Sequence, residues 1–226
     1  MSRVAITTSA DQIDRLAGVF SQVGLVPVGL PCIRVDVAGS GVLADARHAA
    51  GSGAVLLLSS ARPLDLLWPG GEAPPVPVIA VGTATAAAVR RRGGRVEFTG
   101  SAGLEALVDE GILDGQRIVF PRAAGTDPVV LDRIARRAAS LEAPVVYETV
   151  PQPPGDAEVD AVAFGSPSAV RGWVSARNLY GLLVGAIGMT TAGELDAVGC
   201  RPDVIAARPD FESLAEAMGR RLEVVL

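Results

Sequence analysis

The chain has 226 residues, of which 49% are hydrophobic and 4% are aromatic, and its formal net charge is −5. This length suits one large or two small α/β domains, and the apolar content is sufficient for a buried core. The acidic charge disfavours a nucleic-acid-binding protein, and a polyanionic small ligand would need a local basic cleft.

Short apolar runs alternate with amphipathic segments along the chain. Helices are predicted over 10–23 and 127–139 and from Asp210 onward, where apolar residues recur at helical spacing. The apolar runs lack alternation, which is typical of strands covered on both faces, so this order indicates parallel sheets. The ten predicted strands are Val4–Ile6, Val26–Val28, Val55–Leu58, Val78–Val81, Val96–Phe98, Arg117–Phe120, Val145–Tyr147, Val162–Phe164, Val184–Ile187 and Val204–Ala206.

An internal repeat runs through the chain. The segment Val81–Ala86 matches Ile187–Ala192, and the turns that follow Leu58 and Phe164 match at the same spacing. The strand Arg3–Ile6 likewise resembles Arg117–Phe120. A further match joins the Pro-Val pairs at residues 27–28 and 144–145. The chain is therefore predicted to be a duplicated α/β unit.

Two linkers are predicted, near residues 36–53, rich in Gly and Ala, and 149–158, which contains three prolines. With these linkers, residues 1–35 and 152–226 form one discontinuous lobe, and residues 38–148 form a lobe inserted in it. A simple cut near residue 113 is the alternative division.

The remaining composition indicates a metal-free cytoplasmic protein. Cys32 and Cys200 lie in apolar surroundings without a CxxC pair, so neither a disulfide framework nor a zinc site is expected. No signal peptide precedes the first strand, and no apolar stretch is long enough to span a bilayer. The only histidine, His48, lies in a polar segment without a GxSxG motif. The run Arg90–Arg92 is interpreted as the exposed end of a helix.

Ligands of open α/β sheets bind beyond the carboxyl ends of the strands. The serine turns at Ser60 and Ser166–Ser168 and the glycine turns at Gly82 and Gly188 follow predicted strands. Their hydroxyls and free backbone N–H groups suit carboxylates or phosphates, although simple helix capping is the alternative.

Tyr147 ends a strand just before the second linker. Its side chain either packs at the hinge or points into a cleft between the lobes, where its hydroxyl could protonate a leaving group. The other tyrosine, Tyr180, lies in a polar turn and is interpreted as a surface or packing residue.

Five motifs resemble those of uroporphyrinogen-III synthases in their order and spacing: Ser59-Ser60, Val81–Ala86, Val146–Thr149, Gly165–Ser168 and Ile187–Ala192. The resemblance covers essentially the whole chain. It implies two flavodoxin-like, doubly wound parallel-sheet lobes joined by two linkers, one lobe being inserted in the other. The implied reaction closes hydroxymethylbilane, a linear tetrapyrrole with eight carboxylates, to uroporphyrinogen III with loss of water and inversion of ring D.

The same resemblance implies the site, which would lie in the cleft between the lobes and need no metal or organic cofactor. Tyr147 would be the catalytic residue that assists departure of hydroxide. The implied substrate-binding residues are Ser60, Arg62, Thr85, Arg122, Ser166, Ser168, Gly188 and Thr191. The expected protein is a cytoplasmic monomer that binds hydroxymethylbilane and neither nucleic acid nor membrane. A direct transfer of this substrate from hydroxymethylbilane synthase is the one protein partnership considered.

Two departures leave the carboxylate contacts open. Many members have Thr-Arg after the first strand, where this chain has Thr7–Ser9, and many have Ser-Pro/Ala-Asn where it has Ser60–Pro63.

The main alternative is a non-catalytic module of the same fold that binds a tetrapyrrole or another polyanion. A bilobal sugar- or amino-acid-binding protein of the periplasmic type is a further alternative, disfavoured by the missing signal peptide.

Overall fold

The structure is a computed structural model that describes residues 1–51, 53–101 and 103–223. The chain forms two compact units: unit 1 is Met1–Val35 with Thr149–Leu226, and unit 2 is Asp36–Glu148. The elements in chain order are β1 (Arg3–Ile6), α1 (Ala10–Gln22), β2 (Val26–Gly29), β3 (Ile33–Val37), α2 (Ser40–Ala49), β4 (Val55–Leu58), α3 (Arg62–Leu67), β5 (Val78–Ala80), α4 (Thr83–Arg91), β6 (Val96–Thr99), α5 (Leu104–Asp109), β7 (Arg117–Val119), β8 (Arg122–Ala123), α6 (Pro128–Arg137), β9 (Ser140–Glu142), β10 (Val145–Pro151), β11 (Ala161–Phe164), α7 (Pro167–Val174), β12 (Leu183–Ala186), α8 (Met189–Ala197), β13 (Val204–Ile205) and α9 (Phe211–Glu223).

Unit 1 is a five-stranded parallel sheet in the order β13-β12-β11-β1-β2. Alternate residues of its strands enter two apolar clusters, one with α7 and α8 and the other with α1 and α9. In β1, for example, Ala5 enters the first cluster whereas Val4 and Ile6 enter the second. Helices therefore cover both faces of the sheet, which explains why its strands are apolar without alternation.

Unit 2 repeats this architecture with a five-stranded parallel sheet in the order β6-β5-β4-β7-β9. Residues of α2, α3 and α4 share one apolar cluster with the sheet, and residues of α5 and α6 share the other. Both sheets have the flavodoxin-like spatial order once β4 is matched with β11 and β7 with β1. The predicted α/β class with doubly wound parallel sheets is confirmed.

The chain passes between the units within β3 and within β10. These two strands are neighbours in a separate three-stranded sheet with the order β3-β10-β8. A cut near residue 113 would separate β4 from β7, although Val55 and Leu56 pair with Ile118 and Val119 in one sheet.

All ten predicted strands are present, but β3, β8 and β9 were not predicted. Ser140 and Glu142 of β9 are exposed and only Leu141 is partly buried, so no apolar run marks this edge strand. The predicted linker over 36–53 is wrong for residues 40–49, which form α2. Leu43, Ala46 and Ala50 recur at helical spacing on the core side of this segment, where the glycines had suggested a flexible joint.

The repeat also needs one correction, at the Pro-Val pair of residues 27–28. These residues belong to β2, which pairs with β1, and the strand that pairs with β7 in the same way is β9. The pair at residues 144–145 instead leads into β10, which lies in the three-stranded sheet. The sequence match had therefore joined two strands that do not occupy equivalent positions in the two units.

The arginine run at the end of α4 is exposed only in part. Arg90 and Arg91 are exposed, as predicted, but the side chain of Arg92 is 16% exposed. Arg92 Nη1 donates to the carbonyl oxygens of Leu64 (3.0 Å) and Trp68 (2.8 Å), and its Nη2 pairs with the Asp65 carboxylate. This guanidinium therefore adds a second donor to two carbonyl oxygens that also accept from the backbone N–H groups of Trp68 and Gly71.

Candidate functional site

The carboxyl ends of parallel strands meet at one edge of each sheet. In unit 2 the turn after β4 lies between the ends of β5 and β7, and in unit 1 the turn after β11 lies between the ends of β12 and β1. The order in which successive strands are added to the sheet changes direction between β4 and β7 in unit 2 and between β11 and β1 in unit 1. Flavodoxin-like sheets bind their ligands at such a topological switch point. All the predicted site residues of the two five-stranded sheets lie in turns or helix starts at these edges.

The unit 2 edge brings three predicted residues together, with Ser60 and Arg62 in contact with Tyr147. The Tyr147 hydroxyl lies 3.5 Å from Ser60 Oγ, and either oxygen can be the donor. The Cζ atom of Arg62 lies 5.9 Å from the centroid of the Tyr147 ring, a cation–π contact. Tyr147 itself is half-buried and packs against the apolar cluster of α2, α3 and α4. We call Ser60, Arg62 and Tyr147 the tyrosine cluster.

Backbone pairing fixes the position of Tyr147. It pairs with Ala123 of β8, and its carbonyl oxygen accepts from the Ala124 N–H at 2.9 Å. Arg122, the other residue of β8, donates from Nε to Ala143 O and from Nη1 to Ala123 O, both at 3.1 Å. The guanidinium of Arg122 therefore braces the segment that enters β10, in addition to any contact with a ligand.

At the unit 1 edge, Ser166 has a structural role. Its Oγ accepts from the backbone N–H of Ala169 at 3.3 Å and so caps α7. Ser168 Oγ accepts from Arg171 Nη2 at 3.3 Å, and Arg171 Nη1 forms an ion pair of 2.8 Å with Glu194. Sequence reasoning missed Arg171, although its position three residues after Ser168 on one helix was the available signal.

Thr85 and Thr191 occupy equivalent positions, each at the third residue of its helix. The structure buries both, with exposed fractions of 6% and 2%. Gly82 and Gly188 precede these helices with extended backbone, at φ values of −150° and 178°. Both threonine side chains are therefore buried, while the helix starts that carry them follow the carboxyl ends of β5 and β12.

The two thiols do not resemble nucleophiles. Cys32 is fully buried, and this burial raises the pKa of its thiol from 9.0 to about 12, although the charge of Arg177 acts to lower it. Burial also raises the pKa of Cys200, and the neighbouring carboxylates of Asp203 and Asp196 raise it further. Both cysteines are free and protonated at neutral pH.

Neither a metal centre nor a membrane span is found in the part of the chain that the structure describes. His48 is exposed on α2, and no group of three His, Cys, Asp or Glu side chains among the described residues could hold a metal ion. None of the described helices is sufficiently long and apolar to cross a membrane.

A cavity of about 460 Å³ lies at the opposite edge of the unit 1 sheet, at the amino ends of its strands. Two carboxylates line it, but each accepts from a strand N–H: Asp160 from Arg3 at 2.7 Å and Asp203 from Val184 at 2.8 Å. These bonds give both carboxylates a structural role, so the candidate site remains at the carboxyl edges.

Comparison with known proteins agrees with this fold. The model of the family described as uroporphyrinogen-III synthase HemD matches residues 14–216. The uroporphyrinogen-III synthase of Chlorobaculum parvum is 26% identical over an alignment of 164 residues that covers 65% of this chain and 67% of that protein.

Two solved structures share the fold at 16% identity. Uroporphyrinogen-III synthetase from Helicobacter pylori has a TM-score of 0.66, with 99% of this chain and 100% of that chain covered. A mutant uroporphyrinogen III synthase from Thermus thermophilus has a TM-score of 0.63 with the same coverage. Because the family model spans most of the sequence, the chain belongs to the uroporphyrinogen-III synthase family.

Proposed function

We propose that the protein is a uroporphyrinogen-III synthase, a hydro-lyase that converts hydroxymethylbilane to uroporphyrinogen III in heme biosynthesis. The observation that carries the proposal is the hydroxyl of Tyr147, held beside Ser60 at the carboxyl edge of unit 2 in a chain of this family. A half-buried phenol with a hydroxyl partner suits transfer of one proton to a departing group.

In the proposed reaction, Tyr147 donates its proton to the hydroxyl of the substrate. The carbon–oxygen bond breaks, its electron pair stays with the oxygen, and water leaves. The electron-rich pyrrole makes this ionisation easy, so the protein chiefly needs to position the chain for ring closure with inversion of ring D.

The eight carboxylates of hydroxymethylbilane must be held by local groups, since the protein carries a net charge of −5. Of the two arginines predicted for these contacts in unit 2, Arg62 and Arg122, we propose Arg122 as the primary cationic contact. In unit 1 the proposed contacts are Ser166, Ser168 and the backbone N–H groups that follow Gly188 at the start of α8. Thr85 and Thr191, whose side chains are buried, would act by shaping the helix starts.

The proposal includes a cytoplasmic monomer that takes hydroxymethylbilane from hydroxymethylbilane synthase. The hand-over is supported by the nature of the substrate, because a free small molecule must be released by one enzyme and bound by the next. Sedimentation of the two proteins, alone and mixed, measures both the monomeric state and the hand-over complex.

A coupled assay tests the activity. Porphobilinogen and a deaminase generate hydroxymethylbilane in place, the protein is added, and the oxidised porphyrin isomers are separated by chromatography. A synthase shifts the product from the spontaneous type I isomer to type III. Type I alone from a folded protein would instead favour a non-catalytic module that binds tetrapyrroles or other polyanions.

Tyr147→Phe tests the proposed role of the phenol. We expect a loss of about 10- to 100-fold in kcat, at or below the lower end of what a proton donor contributes, because neighbouring hydroxyls share the role. Tyr180→Phe is the matched control, since the chain has two tyrosines and Tyr180 is 91% exposed. Equal activity of the two variants would remove Tyr147 from the mechanism.

A further inference from the structure

The two repeats use equivalent serines differently. Ser60 follows β4 and Ser166 follows β11, which are the matching central strands of the two sheets. Ser166 Oγ caps its own helix through the Ala169 N–H. In α3 the residue at the cap is Ala61, which makes no side-chain capping bond, and the hydroxyl of Ser60 lies against Tyr147 instead. Capping therefore does not account for Ser60.

The turn that carries Ser60 also carries Arg62. Arg62 is the first residue of α3, and the buried Pro63 follows it with its fixed backbone torsion. The guanidinium then lies over the ring of Tyr147 with Cζ at 5.9 Å from the centroid. One short turn thus contacts both the hydroxyl and the ring of the same side chain.

We propose that Ser60 and Arg62 are positioning residues that act through Tyr147, rather than primary ligands of the substrate carboxylates. This inference rests on the proposed role of Tyr147 as proton donor. Arg62 holds the orientation of the ring, and Ser60 holds the position of the hydroxyl. Loss of either leaves the phenol in place but less well aimed at the leaving group.

The proton balance gives Ser60 a defined part. Before transfer, the Tyr147 hydroxyl has its proton available, and Ser60 Oγ is a donor or an acceptor to it. When the Tyr147 proton passes to the departing hydroxyl, the phenol oxygen becomes negative and Ser60 donates its own hydrogen to that oxygen. The positive charge of Arg62 over the ring stabilises the same state. The 3.5 Å separation is long for such a bond, and catalytic bonds of this kind shorten when substrate binds.

A double-mutant cycle separates this role from direct substrate binding. We expect Ser60→Ala to lower kcat about threefold to tenfold, as for loss of one hydrogen bond, with KM within about twofold. In a Tyr147→Phe background the same change should have no further effect, because its partner oxygen is gone. Ser60→Thr, which keeps the hydroxyl, should restore most of the activity. A raised KM, or an equal loss in both backgrounds, would overturn the inference.

Arg62→Met should behave like Ser60→Ala in the same cycle. Matched controls are Ser21→Ala, an exposed serine of α1, and Arg136→Met, an arginine of α6 whose side chain is 77% exposed. Thermal unfolding of every variant separates these effects from loss of the fold. If Arg62→Met mainly raises KM, Arg62 binds a carboxylate directly and its positioning role is wrong.

A spectroscopic readout keeps the inference independent of turnover. In a Tyr180→Phe background Tyr147 is the only tyrosine, so protein labelled with ¹³C at the tyrosine Cζ gives one resonance. We expect Ser60→Ala and Arg62→Met to move this resonance and Ser21→Ala to leave it unchanged. An unmoved resonance overturns the inference whatever the activity. Absence of type III product from the unmutated protein overturns the proposed function, and with it the positioning role in catalysis, even if the resonance moves.

Discussion

Replacing Gly172 with alanine tests a close approach between a helix and neighbouring backbone in unit 1. Gly172 lies in α7, and a Cβ atom at this position would come within 2.0 Å of Cys32 O and 2.6 Å of Gln152 O. Both are backbone atoms, so no side-chain rotation can relieve contacts below 3.0 Å. The same two residues are joined by a 2.8 Å hydrogen bond from Gln152 N to Cys32 O, which a shift of either segment would strain.

The expected cost follows from these distances. Overpacking costs about 1–3 kcal/mol, and the strained hydrogen bond adds about 1 kcal/mol, so we expect a loss of roughly 3 kcal/mol in unfolding free energy. For a chain of this size that lowers the Tm by about 10 °C. Differential scanning calorimetry and urea unfolding measure the two quantities.

Gly18→Ala in α1 is the matched control, since nothing lies within 4 Å of its added Cβ. Alanine in an exposed helix interior is favoured over glycine by up to about 1 kcal/mol, so this variant should gain stability. If Gly172→Ala unfolds within about 2 °C of Gly18→Ala, the reasoning about α7 is refuted.

Two further predictions concern buried polar groups. Arg92→Met should cost about 2 kcal/mol by urea unfolding because it removes the charged donor that joins α4 to two carbonyl groups and the Asp65 carboxylate of the α3 region, whereas the exposed Arg91→Met should change little; equal stability of the two variants would contradict the assigned contacts. For Cys32, whose pKa burial raises from 9.0 to about 12, the unfolded chain loses the thiol proton first as pH rises. The contribution of this thiol to the unfolding free energy should therefore be fully present below pH 9.0 and be lost at up to about 1.4 kcal/mol per pH unit between pH 9.0 and 12. Cys32→Ala should have a shallower slope of unfolding free energy against pH over the same range. An unchanged slope would show that the thiol ionises equally in both states.

Ser60 and Ser166 occupy equivalent positions in the two repeats but make different contacts. Sequence alone gave both serines the same two interpretations, a helix cap or a ligand contact. The structure makes Ser166 a cap and directs Ser60 to Tyr147. The difference depends on the distance between a turn and a strand that lie far apart in the sequence, so no local pattern could reveal it.

The strand β9 and the helix α2 were not predicted from the sequence for a related reason. The edge strand β9 has two exposed polar residues and one partly buried leucine, so only its hydrogen bonds to β7 define it. The helix α2 lies among glycines that predict a linker, and packing of its small residues against the unit 2 cluster stabilises it. In both segments tertiary contacts outweigh local propensity.

The sequence by itself determined the α/β class, the ten strands predicted from apolar runs, the repeat and the family. These properties depend on apolar runs and short turn motifs, which are local and are dictated by burial on both faces of a sheet. Only the tertiary structure decided which strands neighbour one another and which polar groups meet. Those properties depend on contacts such as that of Ser60 with Tyr147, whose partners are separated by 87 residues and are brought together by the sheet and by the pairing of β10 with β8.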